Sequence, residues 1–284
     1  MKKVAIIGSG KIAIDLMIKI KSSTKLDCVL VAGRNKNSEG LKIARNNNIK
    51  TAFNSIDSIL KKKNDLDLVF DATSANDHRL NWSLIKKTNL KVIDMTPSNI
   101  GYSVVPAINL NEAKKYKNIN MISCGGQSSL PLIYRISQLI RKISYVELVS
   151  SIASESAGMG TRVNIDEYIH NTSNAISKFT SLKKNKVILI LNPANPPIVM
   201  QNSISFLLTE DKIDMLSLVS EIEKTVSHIK TYVPGYDLIY SPKLINDRLI
   251  LSVRVEGNGD YLPKFAGNLD IINNAAIKVA EEIL

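Results

Sequence analysis

The chain has 284 residues, of which 44% are hydrophobic and 22% charged, and its 37 lysines and arginines outweigh 26 acidic residues to give a formal net charge of +11. That size and balance suit a globular protein of one large or two ordinary domains. The cations fall in short clusters such as Lys61–Lys63, Lys86–Lys87 and Lys183–Lys184, not in a stripe interleaved with aromatics, which excludes the usual nucleic-acid-binding patterns.

In chain order, "KVAIIGSGKIAIDLMIKI" opens as a continuous apolar strand, turns through glycines and continues as a helix with Ile12, Leu16 and Ile20 on one face. "DCVLVA" (27–32), a helix from Glu39 to Asn47 and a short strand near Thr51 follow. A helix near Ile56–Lys62, then "DLVFDAT" (67–73), a helix around Leu80–Lys87 and "KVIDMT" (91–96) complete the alternation. Apolar runs joined by crossover helices predict a doubly wound parallel sheet covered on both faces. Beyond about residue 125 the strands lengthen: "YVELVSSIAS", "VILILN", "SISFLLT" and "LILSVRVEG". With helices over about 164–181 and 213–229 they predict an α+β domain, and Leu269–Leu284 reads as a closing helix. No run reaches the ~18 apolar residues of a membrane span. The strand at residues 3–8 leaves no room for a signal peptide. Cys28 and Cys124, the only cysteines, make neither a disulfide framework nor a paired-cysteine metal site and fit a cytoplasmic setting. No His/Asp/Glu spacing points to a metal.

The first turn, Gly8-Ser9-Gly10-Lys11-Ile12-Ala13, is a GxGxxA fingerprint between strand and helix. Gly8 permits the turn, Gly10 lets backbone approach a pyrophosphate, and the helix start offers it unpaired N–H groups. Where a carboxylate for a ribose hydroxyl is expected, the sequence reads "GRNKN"; Arg34 suits a 2′-phosphate, as in NADP, or is simply solvated. Asp71-Ala72-Thr73-Ser74 and Asp94-Met95-Thr96-Pro97 end two buried strands, where ligands gather in such sheets, and His78 reads as a loop histidine beyond the first. In "ISCGGQSSLP", Cys124 precedes a helix expected from Ser128 to Lys142 with Pro131 in its first turn. The helix dipole there contributes at most ~2 kcal/mol, enough to lower a thiol by roughly 1.5 pH units. Cys124 is thus either a nucleophile or a buried structural thiol; Cys28 is a core residue.

The stretches "KVAIIGSGKIAIDLMIKI", "DLVFDATSA", "VIDMTPSNIG", "VVPAINL", "NINMISCGGQSSLP", "SAGMGTRVNIDEY", "LNPANPPIVM", "YVPGY" and "YLPKFAGNLDI", in this order, closely resemble the acylating, CoA-dependent acetaldehyde dehydrogenases of meta-cleavage pathways in aromatic hydrocarbon catabolism. The resemblance implies a Rossmann domain (1–125 plus 265–284) and an α+β catalytic and dimerising domain (126–264), as in semialdehyde and glyceraldehyde-phosphate dehydrogenases. It implies that Cys124 carries the acyl group. It places dinucleotide contacts at Gly8, Ser9, Gly10, Lys11 and Ile12, at Ser156, Ala157, Gly158, Met159, Gly160, Thr161, Arg162, Val163 and Asn164, and at Asn268. It further implies NAD as cofactor, coenzyme A as co-substrate, a homodimer, and docking on 4-hydroxy-2-oxovalerate aldolase. Three departures stand out: Lys11 where the family has asparagine, Asn202 where it has an aspartate thought to assist the cysteine or the thiol, and a shortened segment before "RLILSVRVEG" that would trim a surface hairpin.

Overall fold

A computed structural model describes residues 1–209 and 213–284, without the side-chain surroundings of Met159 and Gly160. It divides into two compact units, one comprising Met1–Ile122, Asp260–Leu262 and Ile272–Leu284, the other Ser123–Gly259 and Pro263–Ile271.

The first unit is α/β. Strands β1 (Lys2–Ile7), β2 (Leu26–Ala32), β3 (Lys50–Ala52), β4 (Leu68–Asp71), β5 (Lys91–Asp94), β6 (Tyr102–Ser103) and β7 (Asn118–Asn120) form one sheet in the order β3-β2-β1-β4-β5-β7-β6. Every pairing in it is parallel. Val4 to Ile7 and Leu68 to Phe70 have no exposed surface, so their uninterrupted apolar runs reflect cover on both faces. The crossovers are α1 (Lys11–Ile20), α2 (Glu39–Asn46), α3 (Ser55–Lys61), α4 (Ala75–Ile85) and α5 (Pro106–Ala113). Strand order reverses between β1 and β4, which places the Gly8 turn and the end of β4 at the switch point of a Rossmann-like sheet. Within this unit the buried Asp15 accepts a 2.7 Å hydrogen bond from Asn273 Nδ2 and lies 3.6 Å from Lys19 Nζ, which also pairs with Asp260.

The second unit is α+β. Its helices are α6 (Cys124–Leu139), α7 (Met159–Val163), α8 (Ile165–Thr180), α9 (Met215–Lys230) and the start of α10 (Gly267–Ile283). Strands β8 (Ile143–Ala153), β9 (Asn185–Asn192), β10 (Met200–Leu208), β11 (Tyr236–Ile245) and β12 (Arg248–Val255) pair in the order β11-β12-β10-β8-β9. Only β8 and β9 run parallel; the other neighbours are antiparallel. In β10 the alternation is strict: Met200, Asn202, Ile204, Phe206 and Leu208 are buried, while Gln201 and Ser203 are exposed. Asn202 is therefore a polar residue in an inward row. Strand β11, which the sequence did not announce, is an edge strand carrying Pro242 and two irregularities of register, tolerated because an edge needs no complete ladder. The shortened segment closes the β11–β12 hairpin through Asn246 and Asp247, with Asn246 at φ 54°.

Candidate active site

Cys124 is the first residue of α6, four positions earlier than the sequence predicts, and Pro131 lies inside that helix instead of in its first turn. Ser123 is the cap: its Oγ accepts from Gly126 N at 2.9 Å and shares a 2.7 Å hydrogen bond with Thr172 Oγ1. The chain enters this turn through Ile122, held at φ +65°, a conformation that costs a β-branched residue about 1–3 kcal/mol. Asn120 Oδ1 supports it by accepting from Ile122 N at 2.9 Å. Such support fixes where α6 begins, and so where Cys124 stands.

The expected lowering of the thiol by the helix dipole is overturned. The residue keeps some accessible surface, yet burial pushes its thiol up to about 11, against smaller opposing effects from backbone hydrogen bonds at Gly125 and Cys124 and from the Tyr168 hydroxyl. Desolvation of an ionised sulfur outweighs a dipole effect that ends within one helical turn. Cys28, in the core, is pushed by burial to about 12.

Around Cys124 the second unit gathers buried hydroxyls and amides. Tyr168, on α8, has its hydroxyl over Gly125, beside Ser150 of β8. A Cβ at Gly125 would land far inside contact distance of that hydroxyl, and 2.9 Å from Ser150 Oγ. Neither the Tyr168 nor the Ser150 oxygen has a hydrogen-bond partner of good geometry. Burial holds the Tyr168 hydroxyl well above 10, with Cys124 adding to the rise, so it stays protonated. Asn202 Nδ2 donates to Ser128 Oγ at 2.5 Å, and Ser128 Oγ donates to Gly125 O at 3.1 Å, while Asn202 Oδ1 is buried without a partner. Asn202 thus braces the first turn of α6 through Ser128. Tyr168, Ser150 and Ser128 escape a reading by spacing, because they lie 44, 26 and 4 residues from Cys124 on three different elements.

The candidate dinucleotide residues are described unit by unit. In the first unit Gly8 has φ +123°, and a Cβ there would sit 2.6 Å from Ala72 O at the end of β4. Gly10 caps α1 without a side-chain hydrogen bond, and a Cβ on it would meet nothing within 4 Å. Protein packing therefore does not require Gly10, and the open space at an uncapped helix start fits a phosphate-bearing group. Ser9 packs on Gly33 and Gly40, Lys11 opens α1 on the exposed side, and Ile12 follows it. Arg34 projects into solvent with Nη1 3.3 Å from Asp77.

In the second unit Ser156 Oγ donates to Ala153 O at 2.8 Å, and Gly158 caps α7 with open space where a Cβ would be. The Arg162 guanidinium folds back onto Ala157 O and Ser154 O at 3.0 and 2.9 Å. Thr161 is half-buried, Val163 exposed, and Asn164 caps α8. Met159 and Gly160 lie outside the residues whose surroundings are described. Asn268 is buried, with its Oδ1 unpartnered. A buried amide oxygen without a donor suits a ligand that brings one.

His78 is not a loop residue. Ser74 accepts from Asp77 N at 3.2 Å and caps α4, which starts at Ala75, five residues before the predicted helix, and so carries His78 inside. The imidazole has no exposed surface; its Nδ1 is 2.9 Å from Asp71 Oδ2, and its Nε2 is 3.2 Å from Asn118 Nδ2 and 3.5 Å from Asp94 Oδ2. Burial lowers its pKa, but the Asp71 hydrogen bond and the fields of Asp94 and Asp71 prevail and raise it. Burial raises Asp94, against His78, Ser98 and Thr96. The two carboxylates also receive Thr73 N at 3.2 Å and Thr96 N at 2.8 Å, which pins the loops leaving β4 and β5.

Comparison with known proteins gives the family to which the chain belongs. Residues 124–263 match the family model described as prokaryotic acetaldehyde dehydrogenase, dimerisation. The chain is 47% identical over 283 residues to an acetaldehyde dehydrogenase of Pectobacterium atrosepticum, spanning 99% of this chain and 95% of the relative. A Burkholderia pseudomallei acetaldehyde dehydrogenase is 45% identical over 98% of this chain and 93% of its own. Acetaldehyde dehydrogenase 2 of Salinispora arenicola is 43% identical over 98% and 94%. The same sequence features that resembled this group thus extend through both units, and the chain belongs to the acetaldehyde dehydrogenase family.

Proposed function

We propose that this protein oxidises acetaldehyde, or another short-chain aldehyde, to an acyl-CoA, with Cys124 as the acyl carrier and NAD as the hydride acceptor. The observation that carries this reading is Cys124 at the first position of a largely buried helix, followed by a glycine whose missing side chain lets the Tyr168 and Ser150 hydroxyls pack against that turn. With its thiol pushed up to about 11 by burial, Cys124 is protonated at pH 7, and its proton passes to solvent water as the sulfur attacks the aldehyde. Cys124 Sγ bonds to the carbonyl carbon, and the carbonyl oxygen becomes the oxyanion of a hemithioacetal. The N–H groups of Cys124 and Gly125 are the donors for that oxyanion, since the N–H of Gly126 is committed to Ser123. A nicotinamide dinucleotide held at the Gly8–Ala13 turn would supply a hydride acceptor for this carbon, so that Cys124 is left as a thioester. The sulfur of coenzyme A then attacks the thioester carbonyl, acyl-CoA departs, and Cys124 recovers its proton.

Ser9, Gly10, Lys11 and Ile12 would hold the pyrophosphate, with the 156–164 segment and Asn268 as further contacts. Arg34, in place of a ribose-binding carboxylate, allows NADP as well. In cytoplasmic aromatic catabolism the protein would act as a homodimer through its 124–263 region, supplied by 4-hydroxy-2-oxovalerate aldolase as the resemblance implies. Size-exclusion chromatography, alone and with the aldolase, reads both associations.

Nucleotide reduction with acetaldehyde is expected to stop after about one equivalent per Cys124 without an acceptor and to continue with coenzyme A. Continued reduction with phosphate instead would assign a phosphorylating enzyme. The same assay with NADP and Arg34→Ala reads the arginine: NADP use should fall while NAD use holds.

A further inference from the structure

With asparagine at position 202, the described groups that act on the Cys124 thiol carry no formal charge. What does face it is a hydroxyl. Tyr168 is 6% exposed, its ring enclosed between α8 and the start of α6, and its hydroxyl oxygen has no partner of good geometry. Thr172 Oγ1 donates to Tyr168 O at 2.6 Å and bonds Ser123 Oγ at 2.7 Å, so the turn bearing Tyr168 is tied to the cap of the cysteine helix. Ser150 Oγ, fully buried and also without a partner of good geometry, stands beside that hydroxyl at Gly125. Gly125 leaves room for both. A buried hydroxyl without an acceptor is costly, by about 1–3 kcal/mol, unless some state of the molecule supplies one.

We propose that Tyr168 is a catalytic residue whose hydroxyl donates a hydrogen bond to Cys124 Sγ when that sulfur carries negative charge, with Ser150 orienting the hydroxyl from β8. The inference rests on the acyl-carrier reading of Cys124. Tyr168 acts as a donor and not as a base, because it remains protonated over the working range. Its hydroxyl favours the ionised sulfur, opposing burial in the direction seen for this pair. The tyrosine thus performs without a formal charge part of what a carboxylate at position 202 would do through proton transfer.

The test follows alkylation of Cys124 by iodoacetamide across the neutral to alkaline range, read by peptide mass so that Cys28 does not contribute. In Tyr168→Phe the midpoint should rise by about one pH unit, with about tenfold slower alkylation at neutral pH. Its kcat with acetaldehyde should fall by about tenfold or more at little-changed KM. A profile superimposable on that of the unsubstituted protein would overturn the proposal and leave Tyr168 a packing residue, whose loss moves stability alone. Should Tyr168→Phe not fold, Ser150→Ala serves: a smaller shift in the same direction supports the proposal, and none overturns it. Alkylation uses neither aldehyde nor nucleotide, so it is separable from the acyl-carrier reading, which fails independently if Cys124→Ala still turns over acetaldehyde.

Discussion

Replacing Gly125 by alanine is expected to lower kcat/KM for acetaldehyde by about a hundredfold or more and to destabilise the fold by about 1–3 kcal/mol. Local propensity predicts the opposite sign: alanine is favoured over glycine inside a helix by about 1 kcal/mol, and position 125 lies within α6. The new methyl group decides the outcome. It would be driven into the Tyr168 hydroxyl and stand 2.9 Å from Ser150 Oγ and 3.0 Å from Tyr168 Cζ. The tyrosine is a rigid ring with no second rotamer open to it in a packed site, so α6 and α8 must separate. Separation displaces Cys124 from the donors that define its geometry. Combining Gly125→Ala with Tyr168→Phe removes the most severe clash and should recover part of the lost stability but not the activity. Urea midpoints and steady-state kinetics on the single and double variants check both statements. A stabilised, fully active Gly125→Ala protein would mean that the gap under Tyr168 is not required.

The second large effect belongs to His78. Substituting leucine removes the imidazole that bonds Asp71 and lies beside Asp94, both fully buried, and should cost about 3–5 kcal/mol of stability. Its pH dependence has a definite sign. The folded state holds the His78 proton more tightly than the unfolded chain does. The stabilisation is therefore complete below the unfolded value of about 6.5 and is lost as pH rises through the higher folded value, at no more than about 1.4 kcal/mol per pH unit. Asp94, also raised, adds a loss of the same sign that begins at lower pH. Chemical denaturation at a series of pH values should show stability falling above neutrality in the natural protein, and that alkaline limb should vanish in His78→Leu. A flat profile in the natural protein would contradict the assignment.

The alternation of apolar runs and helices from residue 3 to residue 96 made the parallel sheet legible, because strands covered on both faces show no polar interruption. The glycine turn was equally legible, since Gly8 adopts a positive φ and lies so close to Ala72 that a side chain there would clash. The start of α6 was hidden: two glycines and a mid-helix proline have poor helix propensity, and tertiary packing against α8 overrides it. The start of α4 was readable from Ser74 and Asp77, a capping pair at the right spacing, but the loop-like "DATSAND" obscured it, and His78 was misplaced with it. Strand β11 was not readable, because an edge strand that carries Pro242 and mostly exposed residues has neither alternation nor a continuous apolar run. The reversal for Cys124 has a physical lesson: sequence reveals the helix dipole but not the desolvation, and desolvation is the larger effect.

The most direct measurement of the account is intact-protein mass spectrometry after mixing with acetaldehyde and NAD in the absence of coenzyme A. The account predicts one acetyl group per chain, mapped to Cys124, absent in Cys124→Ala and discharged when coenzyme A is added. Turnover to acyl-CoA with no adduct on Cys124, or an adduct that persists in Cys124→Ala, would contradict it.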